Sequence, residues 1–418
     1  MNRSRSLTII IVVLSIIAVL TGASFLICQF HIGSGIQESA SIFDGDSLKL
    51  KTTLIVPTLD TQFKKDTNAI WCASLLAAWK CLETDLAKEP LMIQDSPEIA
   101  VALNKSSDPR PDIPKASLYV ASGWNRKGII DQITKDLAQK FPDKAPPVFD
   151  GIAENSFVTY AYLEAKIKFS IPYFQNRKPL LFTDCKGNET VINSFGICPG
   201  DESAYLKLRQ QPAILFAAMD ESHKIAEFII DLDHTSNPNQ IILALVEPRP
   251  TLEEMLKSVE EKIAAGKKLK LQEFDVNDVL LVPDIIWNIR HIFTDLEGKE
   301  FMNSQLKGQR IDVARQDIQF RLDRSGAELR SEAEEHYRSL PAQYAFDRPF
   351  LLYMKERGAK MPYFVMWIAN AELLCKWTAR LNPKDYDEAF IEKIKRSPES
   401  VRTQIFDHQR NRSAISAK

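Results

Sequence analysis

The 418-residue sequence has no CxxC pair, no HExxH motif and no glycine-rich phosphate loop. Those absences remove the usual sequence grounds for a dithiol redox enzyme, a zinc protease or a nucleotide-binding domain. An excess of one charge is missing too: 53 Lys and Arg against 55 Asp and Glu leave a formal net charge of -2. The basic residues are scattered, with no stripe interleaved with aromatics, so composition gives no reason to expect a nucleic-acid partner. No internal repeat or low-complexity tract is present. Nothing in the sequence calls for a cofactor or a metal.

What is present is a globular composition, 45% hydrophobic and 26% charged, in a chain long enough for one large domain or two ordinary ones. Residues 7–28 form an uncharged run rich in Ile, Val and Leu, behind a basic flank at 1–6 that holds Arg3 and Arg5. Its length suffices for a membrane-spanning helix and exceeds the usual apolar region of a cleaved signal. No small-x-small cleavage site stands out, with Ala23 and Ser24 leaving one option. The reading is a signal-anchor, with the basic flank cytoplasmic and the bulk of the chain extracytoplasmic, at a cell surface or in a periplasm. Residues 29–47 then read as a polar linker, 48–370 as the main domain, and 371–418 as a helical extension with a disordered end.

Six cysteines leave the redox state open. Cys72 and Cys81 are expected on one helix, about 13 Å apart in rise and too far for a bridge. Cys185 and Cys198 flank a hairpin turning near Gly187 without facing each other, and buried free thiols are the favoured state. Asn188-Glu189-Thr190 fits the glycosylation acceptor pattern.

Along the chain, 47–56 alternates like a strand. Asn68 reads as a cap for a helix carrying Trp71, Leu75, Ala78, Trp79 and Leu82. A strand at 118–121 and a helix at 129–141 follow. Residues 162–171 alternate most regularly of all, predicting a long strand with one wet face. Strands are expected at 180–183, 190–195, 213–217, 225–231, 240–246, 279–282 and 285–289. Thr251 and Glu254 form a capping box that opens a helix. Early helices, a strand-rich middle and a final hairpin point to an α+β fold with mixed or antiparallel sheets surrounded by helices.

Residues 318–368 hold the densest information. A polar strand, IQFRLDRSG, leads into an acidic stretch, AELRSEAEEHYRSLPAQYA, and then into FDRPFLLYMKERGAKMPYFVMWI. The last piece holds two apolar runs, 350–354 and 363–368, around a charged turn with Gly358, a buried hairpin pattern. A charged connection of about twenty residues feeding such a hairpin is uncommon in a compact domain and is usually functional.

The order resembles the carboxy-terminal region of the serpin (serine protease inhibitor) family, in a divergent, bacterial-type form. IQFRLDRSGAE resembles the hinge strand before the reactive-centre loop, FDRPFLLYM the strand after it, and IILALVEP with TLEEMLKSVEEKI an earlier strand and helix. DVLLVPDIIWNI, with Pro283, resembles a later strand. The likeness is best over 160–370. It implies a serpin-like fold with an exposed loop before the terminal hairpin, a hinge at Gly326, Ala327, Glu328 and Leu329, and a reactive bond between Arg338 and Ser339. The family's Asn-Ala-Ile-Tyr-Phe strand is absent, its Ala-rich hinge is replaced by AELRSEAE, and the chain runs on past the hairpin.

Serpin inhibition inserts the cleaved loop into a sheet, with side chains alternating between core and solvent. From Gly326, Ala327, Leu329, Ser331 and Ala333 share one face, but Glu335 then falls on it, where an unpaired carboxylate costs several kcal/mol. Ser325 and Glu328 also form a capping box, with Leu329, Ala333 and Tyr337 on one helical face. The balance favours a membrane-tethered, non-inhibitory binding or scaffold protein, with no enzymatic activity. The runner-up is an inhibitor of a trypsin-like serine protease that takes Arg338 as bait. A third reading is a cysteine hydrolase using Cys72 near a helix start, with His223, His234 or His291 as base. Asp231, Asp233 and His234 read as a turn before Ser236-Asn237-Pro238 rather than a metal cluster. The partners implied are the membrane, through the amino-terminal helix, and a serine protease or another protein.

Overall fold

The computed structural model describes residues 43–142, 147, 149, 152–164, 168–176, 178–197, 203–222, 224–234, 239–266, 274–324 and 343–377, all within one compact unit. The expected membrane segment 7–28, hinge 326–329, reactive bond Arg338–Ser339, Cys198, His223 and the tail beyond 377 lie outside the described residues. Among the described residues no helix is long and apolar enough to cross a membrane.

In chain order the strands are β1 (Phe43–Asp46), β2 (Thr53–Ile55), β3 (Asn68–Cys72), β4 (Leu118–Trp124), β5 (Phe157–Leu163), β6 (Phe174–Gln175), β7 (Leu180–Thr183), β8 (Glu189–Ile192) and β9 (Ser194–Ile197). They continue with β10 (Ala213–Met219), β11 (Ile225–Asp231), β12 (Asn239–Leu245), β13 (Val279–Pro283), β14 (Ile285–Ile292), β15 (Arg315–Leu322), β16 (Gln343–Ala345), β17 (Phe350–Glu356) and β18 (Phe364–Ile368). The helices are α1 (Ser74–Leu82), α2 (Glu98–Lys105), α3 (Ile129–Lys140), α4 (Ser203–Arg209) and α5 (Leu252–Gly266). Among the described residues the fold is α+β, with mixed sheets of seven, four and three strands and two strand pairs.

The seven-stranded sheet runs β10-β11-β12-β17-β18-β3-β2. Its middle strands are apolar without alternation because both faces are covered: FVMWI of β18 and NAIWC of β3 are buried at every position. The terminal hairpin pairs Phe350 with Ile368 through Met354 with Phe364, as the apolar runs predict. Helix α5 packs on this sheet; Thr251 Oγ1 accepts from Glu254 N at 3.1 Å, and Leu252, Met255, Leu256 and Val259 turn inward. A smaller core lies elsewhere. Ile129, Ile133 and Leu137, at four-residue spacing on α3, pack against Tyr119 of β4 and Val158 of β5.

The remaining sheets carry the segment of interest. The three-stranded sheet runs β1-β14-β15 and the four-stranded one β16-β13-β9-β6. An aromatic seam fastens β14 and β15 to the large sheet: Phe320 stacks on Phe364 with centroids 4.7 Å apart, and Trp287 lies 5.6 Å from Phe320. In β9 the backbone passes so close to β13 that a Cβ on Gly196 would stand 1.7 Å from Leu280 O, so only glycine fits.

Several expectations are corrected. Asn68 is no helix cap but the first residue of β3, and Cys72 ends that strand, so Cys72 and Cys81 do not share a helix. The Asn68 amide is spent across the sheet: Oδ1 accepts from Ala369 N (2.8 Å) and Asn370 N (3.0 Å), and Nδ2 donates to Thr53 Oγ1 and Asn370 Oδ1. The alternating 162–171 stretch is not one strand. β5 spans Phe157–Leu163, and pairing stops there because β4 begins at Leu118, just after a turn that returns Ser117 N to Pro114 O. Residues 47–56 break into a 3₁₀ turn, Ser47–Lys49, and β2. Asp46 accepts from Leu48 N at 2.8 Å, and Leu48 is 89% exposed. Phe43–Asp46, read as linker, pairs in parallel with β14. Residues 371–377 are not helical beyond the short turn Ala371–Leu373. Leu374 and Lys376 then bridge to Ile285 and Ile192 in extended backbone.

Candidate functional site

Residues 325–342 connect β15, at the edge of the three-stranded sheet, to β16, at the edge of the four-stranded one. The upstream anchor is β15. Its alternation sends Gln316, Ile318 and Leu322 inward and leaves Arg315, Asp317, Gln319 and Arg321 outward or half-buried. Eight rungs hold it to β14, from Ile285–Leu322 to Ile292–Arg315, and Gln316 Nε2 donates to Cys72 O (3.0 Å) and Ser74 Oγ (2.9 Å). No described strand pairs with its other edge.

At the exit of β15, Arg321 Nε meets Asp323 Oδ2 at 2.5 Å. Beside it lies Asp284, buried in the one-residue break between β13 and β14. Gln175 Nε2 donates to Asp284 Oδ2 at 2.8 Å, while Oδ1 is buried without a hydrogen bond. Burial first, and the nearby Asp323 charge next, push the Asp284 carboxyl up to about 6 against the donation from Gln175. Sequence reading missed this residue, since a single Asp after Val-Pro looks like an ordinary turn.

The downstream anchor is β16, parallel to β13 with Tyr344 opposite Leu280. Tyr344 is buried edge-on against Phe228 (5.4 Å) and Phe274 (5.1 Å). Past it, Asp347-Arg348-Pro349-Phe350 is structural. Arg348 donates to Ala226 O at 2.9 Å and to its neighbour Asp347, Asp347 O accepts from Thr183 N, and Phe350 is fully buried. Both ends of 325–342 are therefore rigidly held, each in a different sheet.

The other candidates resolve as parts of the fold. Cys72 is buried, its Sγ 3.5 Å from Ser74 Oγ, and burial raises its thiol, opposite to what a nucleophile needs. His291 hydrogen-bonds Ser47, and His234 faces Gln211 O, so neither described histidine partners Cys72. Asp231 takes Arg357 and Gln240 on Oδ2 and Asp233 N on Oδ1, as a charged turn does. Among the described residues no group of three His, Cys, Asp or Glu could hold a metal. Cys72, Cys81, Cys185 and Cys375 are free thiols. Asn188, in the exposed β7–β8 turn, donates from Nδ2 to Asp184 at 2.9 Å.

No protein-family model matches the chain, and no curated protein does. Solved structures similar to it include thyroxine-binding globulin in complex with thyroxine, at 14% identity, 73% of this chain, 93% of that chain and a TM-score of 0.43. A mouse protein-Z dependent protease inhibitor is similar at 14% identity over 72% of this chain and 91% of that one, TM-score 0.44. Native protease nexin-1 with heparin is similar at 12% identity over 72% and 92%, TM-score 0.38. These neighbours are serpins, and the likeness extends to no residue of a site.

Proposed function

We propose that this chain is a membrane-tethered, non-inhibitory binding protein, whose serpin-like body holds residues 325–342 as a protein-contact surface in an extracytoplasmic compartment. The observation that supports this most is the anchoring just described: β15 and β16 hold the two ends of the segment in separate sheets. The composition of the segment points the same way. Glu335 would enter the core on full insertion, and the Ser325–Glu328 capping box favours helix. Tyr337 and Arg338 are residue types that anchor interfaces. Tethering rests on the apolar run 7–28 behind Arg3 and Arg5. It is tested by alkaline extraction, which should leave the full chain, but not a chain starting at Phe43, in the membrane pellet.

The edge of β15 with which no described strand pairs favours a second reading, inhibition of a trypsin-like protease through Arg338–Ser339. Mixing the detergent-solubilised chain with such a protease separates the two on a denaturing gel. A binding protein is cleaved after Arg338 and releases the protease, whereas an inhibitor leaves an adduct that survives denaturation.

A further inference from the structure

Away from both anchors, an open cleft of about 330 Å³ lies between the β7–β8 turn, the start of β2 and the 371–377 strap. Three lysines line it, Lys51, Lys186 and Lys376. They are held very differently. Lys186 is mostly exposed and pairs with Asp66 at 2.9 Å, which raises its pKa. Lys376 is largely enclosed, and its ammonium donates to the carbonyl of Ala371. Among the described residues no carboxylate stands within ion-pair distance of it. Glu372, whose charge bears on it, is occupied: it accepts from Lys51 N (2.7 Å), Thr52 N (3.0 Å), Thr52 Oγ1 (2.9 Å) and Thr53 Oγ1 (2.7 Å).

The Lys376 backbone is also clamped. The residue bridges to Ile192, while Cys375 N donates to Asp284 O and Trp377 N to Val191 O. An amine fixed on a cleft wall, short of water and of a counter-ion, is disposed to lose its proton and act as a nucleophile. Burial accordingly lowers Lys376 to about 8, outweighing the opposing influences of Cys375 and Glu372. Lys51, at the rim of the same cleft, likewise has no carboxylate at ion-pair distance among the described residues, and so offers charge to an anionic ligand.

We propose that Lys376 is a covalent binding site for small aldehydes bearing a carboxylate, with Lys51 receiving the carboxylate. The neutral amine adds to the aldehyde carbon, forming the N–C bond as the C=O π bond opens onto oxygen. The resulting carbinolamine then loses water to give the imine. No oxidant or reductant is consumed, and water reverses the reaction.

The test treats the full chain, in detergent near neutral pH, with limiting glyoxylate and cyanoborohydride, which reduces any imine to a stable carboxymethyl-lysine. Peptide mass spectrometry then follows every lysine in the same sample. The adduct at Lys376 should accumulate at least about tenfold faster than at Lys186 or at the exposed Lys135 of α3. Labelling of Lys376 at or below the rate of those two overturns the site. Lys51→Gln, a rim substitution that keeps the backbone bond to Glu372, should slow labelling of Lys376 by glyoxylate and not by acetaldehyde. Equal effects on both aldehydes overturn the role of Lys51.

Discussion

Asp284 and Asp323 stand one residue beyond Ile285–Leu322, the last rung joining β14 to β15, where the chain departs for residues 325–342. Asp323 has Arg321 beside it, whereas Asp284 keeps one buried oxygen without a donor. The pair therefore makes the root of this segment sensitive to pH. Asp284 holds its proton in the folded state up to about 6, against an ordinary value of 3.8. The folded state binds that proton more tightly, so the associated stability is complete below about pH 4 and lost as pH rises through about 6. Asp284→Asn should raise the melting temperature above pH 6, by a free energy of at most about 3 kcal/mol, and change little below pH 4. Melting curves across that range check it; an offset that does not vary with pH would contradict it.

Asn68 should be among the costliest single polar residues to remove. Asn68→Ala leaves the buried N–H of Ala369 without its acceptor and breaks three further bonds, to Asn370 N, Asn370 Oδ1 and Thr53. A loss of about 2–4 kcal/mol is expected from urea unfolding. A loss under about 1 kcal/mol would mean that water or a neighbour replaces the amide.

Gly196 and Gly187 offer a matched contrast. A Cβ at Gly196 meets Leu280 O at 1.7 Å, so Gly196→Ala must part β9 from β13 and should abolish soluble expression. Gly187 has φ +82 with nothing within 4 Å, so Gly187→Ala should cost only about 1 kcal/mol. Similar yields and melting temperatures for the two variants would count against the close approach of β9 and β13.

Thiol accessibility checks the core assignment. Cys72, Cys81 and Cys375 are buried and Cys185 is partly exposed, so under native conditions a thiol reagent should modify Cys185 at least about tenfold faster than the other three. Fast modification of Cys72 would reopen its reading as a nucleophile.

Much of the fold was legible because it is local. The two apolar runs of the terminal hairpin, the capping box of α5 and the four-residue spacing on α3 each carry their own instructions. The errors arose where partners far away in the chain decide. The run NAIWC suits a buried strand as well as a helix, and what selects the strand is its pairing with Phe364–Trp367 and the Asn68 contacts to residues 369–370. The even alternation of 162–171 found no described strand to pair with past Leu118. The site shows the same split. The connection from β15 to β16 is visible as a charged interval before a hairpin. Asp284 and the Lys376 cleft are not, because residues 51–52, 184–188 and 370–376 look unremarkable until folding brings them together.

The most direct measurement of the proposed function is the melting temperature of the chain before and after a trypsin-like protease cuts between Arg338 and Ser339. A contact segment that does not insert should leave it unchanged within about 2 °C. A large rise after cleavage, together with a protease adduct stable to denaturation, would show that the segment enters the sheet and that the chain is a working inhibitor.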